Sequence, residues 1–198
     1  GRGEDAGLRR QARKLAETWL KTRTGIDRDL LVTVLTAAAR DGDEAFYVKL
    51  LAVLDDSKDA TERRAIAAAL GSFTDWKLVE RSLKVYLDRG LEPREGQGLL
   101  FGAFSYPGNR HKAYEFIKAN LQAVLAKIPF MARPYITGVM LAFCDREHLD
   151  DAKAFFGPVV KDMLGGSKAL AGNAERVELC IARKAAQQPA VSAFLKRQ

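Results

Sequence analysis

Leu8, Ala12, Leu15, Ala16, Trp19 and Leu20 recur at helical spacing with basic and polar residues between them, which predicts a first helix with one apolar stripe. Thr24, Gly25, Ile26 and Asp27 break that pattern. Asp27 then suits the N-cap of a helix through Leu30, Leu31, Val34, Leu35 and Ala38. Asp41, Gly42 and Asp43 stop and restart the chain, and Asp43 to Leu54 carries Phe46, Val48, Leu50, Leu51 and Leu54. Thr61 to Leu70 follows, with Glu62 favouring its amino-terminal end. After the turn Gly71 to Asp75, Asp75 opens a helix from Trp76 to Leu87.

The second half reads the same way: Arg94 to Phe104, Arg110 to Ile128, Ala132 to Phe143, His148 to Phe156, Asn173 to Gln187 and Ala190 to Lys196. No segment sustains the period-two alternation of a strand. Short interruptions between amphipathic helices predict antiparallel neighbours. The expected fold is all-α, antiparallel helix pairs stacked as a HEAT-like superhelix, with a closed helical bundle as the rival. No shift of composition marks a boundary, and Gly165, Gly166 and Ser167 make only a local break, so residues 1–198 are expected to form a single helical-repeat domain.

Composition fits this picture. The chain has 198 residues, 47% of them apolar, and its apolar residues are mostly Ala and Leu, which favour helix over strand. No apolar run approaches the roughly 18 residues a membrane span needs. Lys and Arg exceed Asp and Glu by 32 to 25, a net charge of +7, but the two signs interleave along most of the chain. That mild field disfavours nucleic acid as a partner, because a dedicated binder gathers its cations into one stripe. Arg9, Arg10, Arg13, Lys14 and Lys21 lie opposite the first helix's apolar stripe, and we read them as a solvated face. The chain opens Gly1, Arg2, Gly3 with no Met and no charged-then-apolar leader, and is expected to be a piece of a longer protein.

Cys144 and Cys180 each sit in an apolar helical pattern and are expected to be buried free thiols. Two cysteines are too few for a disulfide scaffold. Free thiols favour the cytoplasm, although buried ones are also compatible with export.

Catalytic chemistry is hard to assemble from these residues. A peptidase-type zinc helix needs two His one turn apart, and the chain has only His111 and His148, far apart in sequence. No metal site and no catalytic residue are expected. Cys144 beside Asp145 and upstream of His148 suggests a Cys/His pair, but its place at the end of the Tyr135, Val139, Phe143 stripe favours a core role. Gly96, Gly98 and Gly102 lack the preceding strand of a dinucleotide loop, so close helix approach is the better reading.

One stretch says more. Tyr106, Pro107, Gly108 and Asn109 form a turn, with Asn109 expected to cap the helix that follows, and Arg110, Ala113, Phe116 and Asn120 continue the pattern. This resembles the signature of the C-terminal helical domain of the zinc aminopeptidase family that includes the endoplasmic-reticulum, puromycin-sensitive and membrane alanyl enzymes. There the pattern runs Asn-Pro-x-Gly-Arg, two variable positions, Ala-Trp, one variable position, Phe, three variable positions, Asn-Trp. Pro107, Arg110, Ala113, Phe116 and Asn120 match, Tyr114 and Leu121 stand for the tryptophans, and Tyr106 replaces the leading Asn. Ala69, Leu70, Gly71, Leu78 and Val79, and the final helix with Leu170, Ala174, Glu178 and Ile181, are similar as well, so the resemblance spans most of the chain.

The resemblance implies a non-catalytic domain that closes a peptide chamber over a zinc-bearing catalytic domain of the same polypeptide. Its partners would be that domain and a peptide substrate; zinc would belong to the catalytic domain, with no cofactor in this chain. Arg110 is the candidate contact to peptide or to the neighbouring domain. A cation at a helix start opposes the helix dipole, so a carbonyl or carboxylate partner is expected to compensate it, in its own turn or beyond. A freestanding HEAT-like scaffold that binds another protein is the alternative.

Overall fold

The computed structural model describes residues 5–197, so the Gly1, Arg2, Gly3 start lies outside the described residues. Every regular element in that span is helical: α1 (Ala6–Thr22), α2 (Leu31–Arg40), α3 (Glu44–Asp56), α4 (Ala60–Leu70), α5 (Trp76–Asp88), α6 (Pro93–Gly102), α7 (Arg110–Ala119), α8 (Leu121–Lys127), α9 (Arg146–Val160) and α10 (Gly166–Leu195), with 3-10 segments at Arg28–Leu30, Pro107–Asn109 and Phe130–Ala142. The protein is all-α, as the hydrophobic periodicity predicts.

Aspartates set many of the helix starts. Asp5, Asp43, Asp59, Asp75 and Asp145 each accept a hydrogen bond from a backbone N–H in the first turn of α1, α3, α4, α5 and α9. Asp27 does the same for the 3-10 turn that leads into α2.

The chain divides into two compact units, one running through Lys127 and the other starting at Ile128. In the first, α2 packs on α4 and α4 on α6, while α1, α3 and α5 lie against α2, α4 and α6 in turn. α2, α4 and α6 thus form one row. Phe73, fully buried, meets the rings of Phe46 at 6.4 Å and Tyr47 at 5.4 Å, within the range of favourable tilted aromatic pairs. Leu35, Leu50, Leu70, Leu83 and Leu99 complete the centre of this core.

Glycine sets the α4–α6 spacing. A Cβ on Gly98 would lie 2.9 Å from the backbone nitrogen of Ala68, and one on Gly102 would lie 3.0 Å from Gly71 Cα. The reading of these glycines as close-approach residues is therefore correct, and no phosphate loop is formed.

In the second unit the 3-10 segment, α9 and α10 pack on one another. Several expected boundaries change. Ala132 to Phe143 is wound as 3-10 because Pro134 removes a backbone donor and Gly138 with β-branched Ile136, Thr137 and Val139 weakens α-helix; the Thr137 hydroxyl bonds back to the Pro134 carbonyl at 2.9 Å. Arg110 to Ile128 is two helices, separated at Asn120, whose side-chain amide donates to the Phe116 carbonyl at 2.8 Å. Conversely, α10 runs unbroken through Pro189. The helix is exposed there, so the carbonyl left without its donor can face water.

The cysteines overturn the expectation of free thiols. Cys144 and Cys180 form a disulfide, with Cα atoms 5.5 Å apart. Cys144 lies between the 3-10 segment and α9, Cys180 lies on α10, and the packing of α10 against both brings the two together. Cys180 is solvent-exposed rather than buried. The preference for the cytoplasm rested on free thiols and loses its basis.

Candidate functional site

The turn before α7 is anchored from outside. Asn109 is buried and does not cap α7; its amide nitrogen donates to the carbonyls of Phe73 and Thr74, both at 3.2 Å. Asn109 thereby ties the α7 start to the loop before α5, a contact between residues 35 and 36 positions apart. Expecting a cap there was wrong because Asn109 already has helical backbone angles, with φ −101° and ψ −15°, and its side chain points away from the α7 amides.

Arg110 follows as the first residue of α7. Its Nε donates to the Phe104 carbonyl at 3.1 Å, so a carbonyl partner within the same turn compensates a cation at the unfavourable end of the dipole. Ala113, Tyr114 and Ile117 form the buried face of α7. On the other faces, Lys112 lies 5.9 Å from the centre of the Trp76 ring and Lys118 lies 5.1 Å from that of Tyr114, both within cation–π range. Lys118 also pairs with Glu115 at 3.2 Å, and Tyr106, in the turn before α7, is 40% exposed. The Tyr86 hydroxyl donates to the Val124 carbonyl of α8 at 3.4 Å, and burial pushes its pKa up to about 12. Tyr86 is thus a neutral hydrogen-bond donor at any physiological pH.

A second polar centre, invisible in the sequence pattern, holds α3, α4 and α6. Arg63 makes a bidentate pair with Glu95, Nε to Oε1 at 2.7 Å and Nη2 to Oε2 at 3.0 Å, and its Nη1 reaches the carbonyls of Leu54 and Ser57. Glu95 is buried and also accepts from its neighbour's backbone, Glu92 N–H, at 3.3 Å. The Glu95 hydrogen bond, opposed by desolvation, raises the Arg63 pKa. The only local hint was the Glu92 and Glu95 spacing at a helix start.

The remaining candidates separate. The basic residues of α1 are partly consumed within the fold: Arg9 pairs with Asp41 at 3.1 Å, Arg13 pairs with Glu17 and Asp43, and the Arg13 guanidinium lies 4.0 Å from the centre of the Phe46 ring. His148 stacks on Phe143 with ring centres 3.8 Å apart, and its Nδ1 meets Asp145 Oδ1 at 2.8 Å. Burial raises the Asp145 carboxyl, but the His148 backbone and side-chain hydrogen bonds and the charges of His148 and Lys184 outweigh it and hold the pKa below 3.8. Cys144 is bonded to Cys180 and supplies no nucleophile to this pair. Among the described residues no three His, Cys, Asp or Glu side chains gather in a metal-binding group. No helix of the described residues is long and apolar enough to cross a membrane. What the arrangement offers is packing, the anchoring of α7 and two lysines beside aromatic rings.

Comparison with curated protein sequences found no match. A family model described as the ERAP1-like C-terminal domain matches residues 1–179.

Proposed function

Because the chain belongs to the ERAP1-like C-terminal domain family, we propose that it serves a zinc metallo-aminopeptidase as a non-catalytic domain, closing the peptide chamber over the catalytic domain of the same polypeptide. The observation that carries this reading is the family match over residues 1–179. One feature of the fold supports it: the row of α2, α4 and α6, which is the arrangement that stacked helix pairs of HEAT-like type produce. Such a wall is suited to enclosing an extended peptide, since each layer depends mainly on its neighbours.

Within that reading Arg110 is first a positioning residue, fixing the α6–α7 turn through Phe104. Its remaining guanidinium nitrogens, with Lys112 beside Trp76, supply the positive charge that would hold the carboxylate end of a peptide. Zinc belongs to the catalytic domain, where it would polarise the scissile carbonyl and activate water.

The test compares this chain alone, a zinc peptidase domain from the same polypeptide alone, and the two joined. The chain alone should not hydrolyse aminoacyl chromogenic substrates. Joined to the peptidase domain, it should change kcat/KM for long peptides far more than for single-residue substrates. Zinc-dependent turnover by the chain alone, or an unchanged length preference on joining, would overturn the proposal.

A further inference from the structure

The Cys144–Cys180 disulfide stands where α10 leaves the body of its unit. Up to that point α10 is held by buried Ala174 and Val177, by Asn173 donating to Thr137 Oγ1 at 2.9 Å, and by Glu178 paired with Lys153 at 2.9 Å and Arg146 at 3.7 Å. Beyond it, Ile181 is half-buried and residues 182–197 are exposed throughout. The covalent bond is thus the last strong tie on a helix that continues to Leu195.

The two sulfurs have unequal surroundings. Cys180 is exposed on a helix, with Arg176 and Lys184 one turn away on either side and Arg183 beside them. Cys144 is half-buried and immediately precedes Asp145, the N-cap of α9. Cys180 is therefore the half of the disulfide that a dissolved thiol reaches first.

From this asymmetry we propose that the disulfide is a reversible thiol-exchange site, opened by an anionic thiol at Cys180, and that its opening frees the outer half of α10. The thiolate attacks Cys180 Sγ; a new S–S bond forms there as the Cys144–Cys180 bond breaks, and the electron pair leaves on Cys144 as thiolate. A second thiolate attacks the added sulfur, releasing the oxidised thiol dimer and Cys180 thiolate. The two protein thiolates then equilibrate with water for protons, so two electrons pass from the added thiols to the protein disulfide. Arg176, Arg183 and Lys184 draw the anionic reagent toward Cys180.

The experiment uses the whole oxidised chain and millimolar reduced glutathione without denaturant, quenched with acid at intervals and mapped by mass spectrometry. The first product should carry glutathione on Cys180, followed by a form with two free thiols. Amide exchange over residues 178–197 should then rise at least about tenfold while residues 5–127 stay unchanged. Lys184→Glu should slow the attack of glutathione several-fold and leave that of uncharged 2-mercaptoethanol unaltered. A doubly substituted chain, Cys144→Ser with Cys180→Ser, should exchange like the reduced protein; should it fail to fold, the wild-type measurements decide alone. A disulfide that resists glutathione until denaturant is added, a first adduct on Cys144, or unchanged exchange after opening would overturn the proposal.

Discussion

Arg63 has its charge met by Glu95 and its remaining donor met by two carbonyls, which makes it a sensitive single residue. Arg63→Ala leaves the Glu95 carboxylate buried and unpaired, and urea unfolding should show a loss of about 3–5 kcal/mol. Arg28→Ala removes a pair with Asp59 of similar length, 2.8 Å, but made by one nitrogen only and with Arg28 67% exposed, so the same measurement should register a far smaller loss. Asn109→Ala strands the Phe73 and Thr74 carbonyls and should cost about 1–3 kcal/mol. Arg110→Ala should also lower the melting temperature, and an unchanged value would count against its tie to Phe104. Acid acts on the caps. The Phe46 N–H and then Arg13 hold Asp43 below its ordinary 3.8, and Asp145 is held down as described. A depressed folded pKa stabilises the protein above the ordinary value and ceases to do so as pH falls through the folded one. Thermal stability should therefore be level near neutrality and decline below about pH 4, with Asp145→Asn weakening that decline in the second unit.

Gly98 shows how an element can be tuned by what it lacks. Gly98→Ala should raise the intrinsic helicity of α6 by about 1 kcal/mol, yet destabilise the protein by about 1–3 kcal/mol, because the methyl group meets the Ala68 backbone. Circular dichroism melting of that variant against Gly172→Ala, where the new group meets nothing within 4 Å, separates the two effects. Much at this scale was legible in the sequence: the apolar stripes and the aspartates at positions 43 and 75 located helices whose caps the structure contains. The illegible parts depend on partners distant in the chain. Asn109 was read as a local cap because the Phe73 and Thr74 carbonyls enter its surroundings only after α5 has packed. The 3-10 winding of Phe130–Ala142 was missed because its apolar spacing also fits an α-helix, and the Pro134, Gly138 and β-branched content decided otherwise. Likewise Cys144 and Cys180 each look like core residues until α10 lies on α9.

For the whole molecule, family membership and the all-α fold account for one another: the motif around Pro107 to Leu121 is less a site than an anchor by which α7 is fastened to earlier helices. Removing the disulfide should matter to one unit alone. It closes a loop of 36 residues, which in the chain-entropy view corresponds to about 3–4 kcal/mol, and calorimetry of the reduced chain should show that loss only in the transition of residues 128–197. The row of α2, α4 and α6 carries a different consequence. At α4–α6 the helices touch through main chain, so no side-chain substitution can bring those two layers nearer, and nearly every one forces them apart. A bend of this row is therefore taken up away from α4–α6, which acts as the fixed pivot against which any such bend is measured.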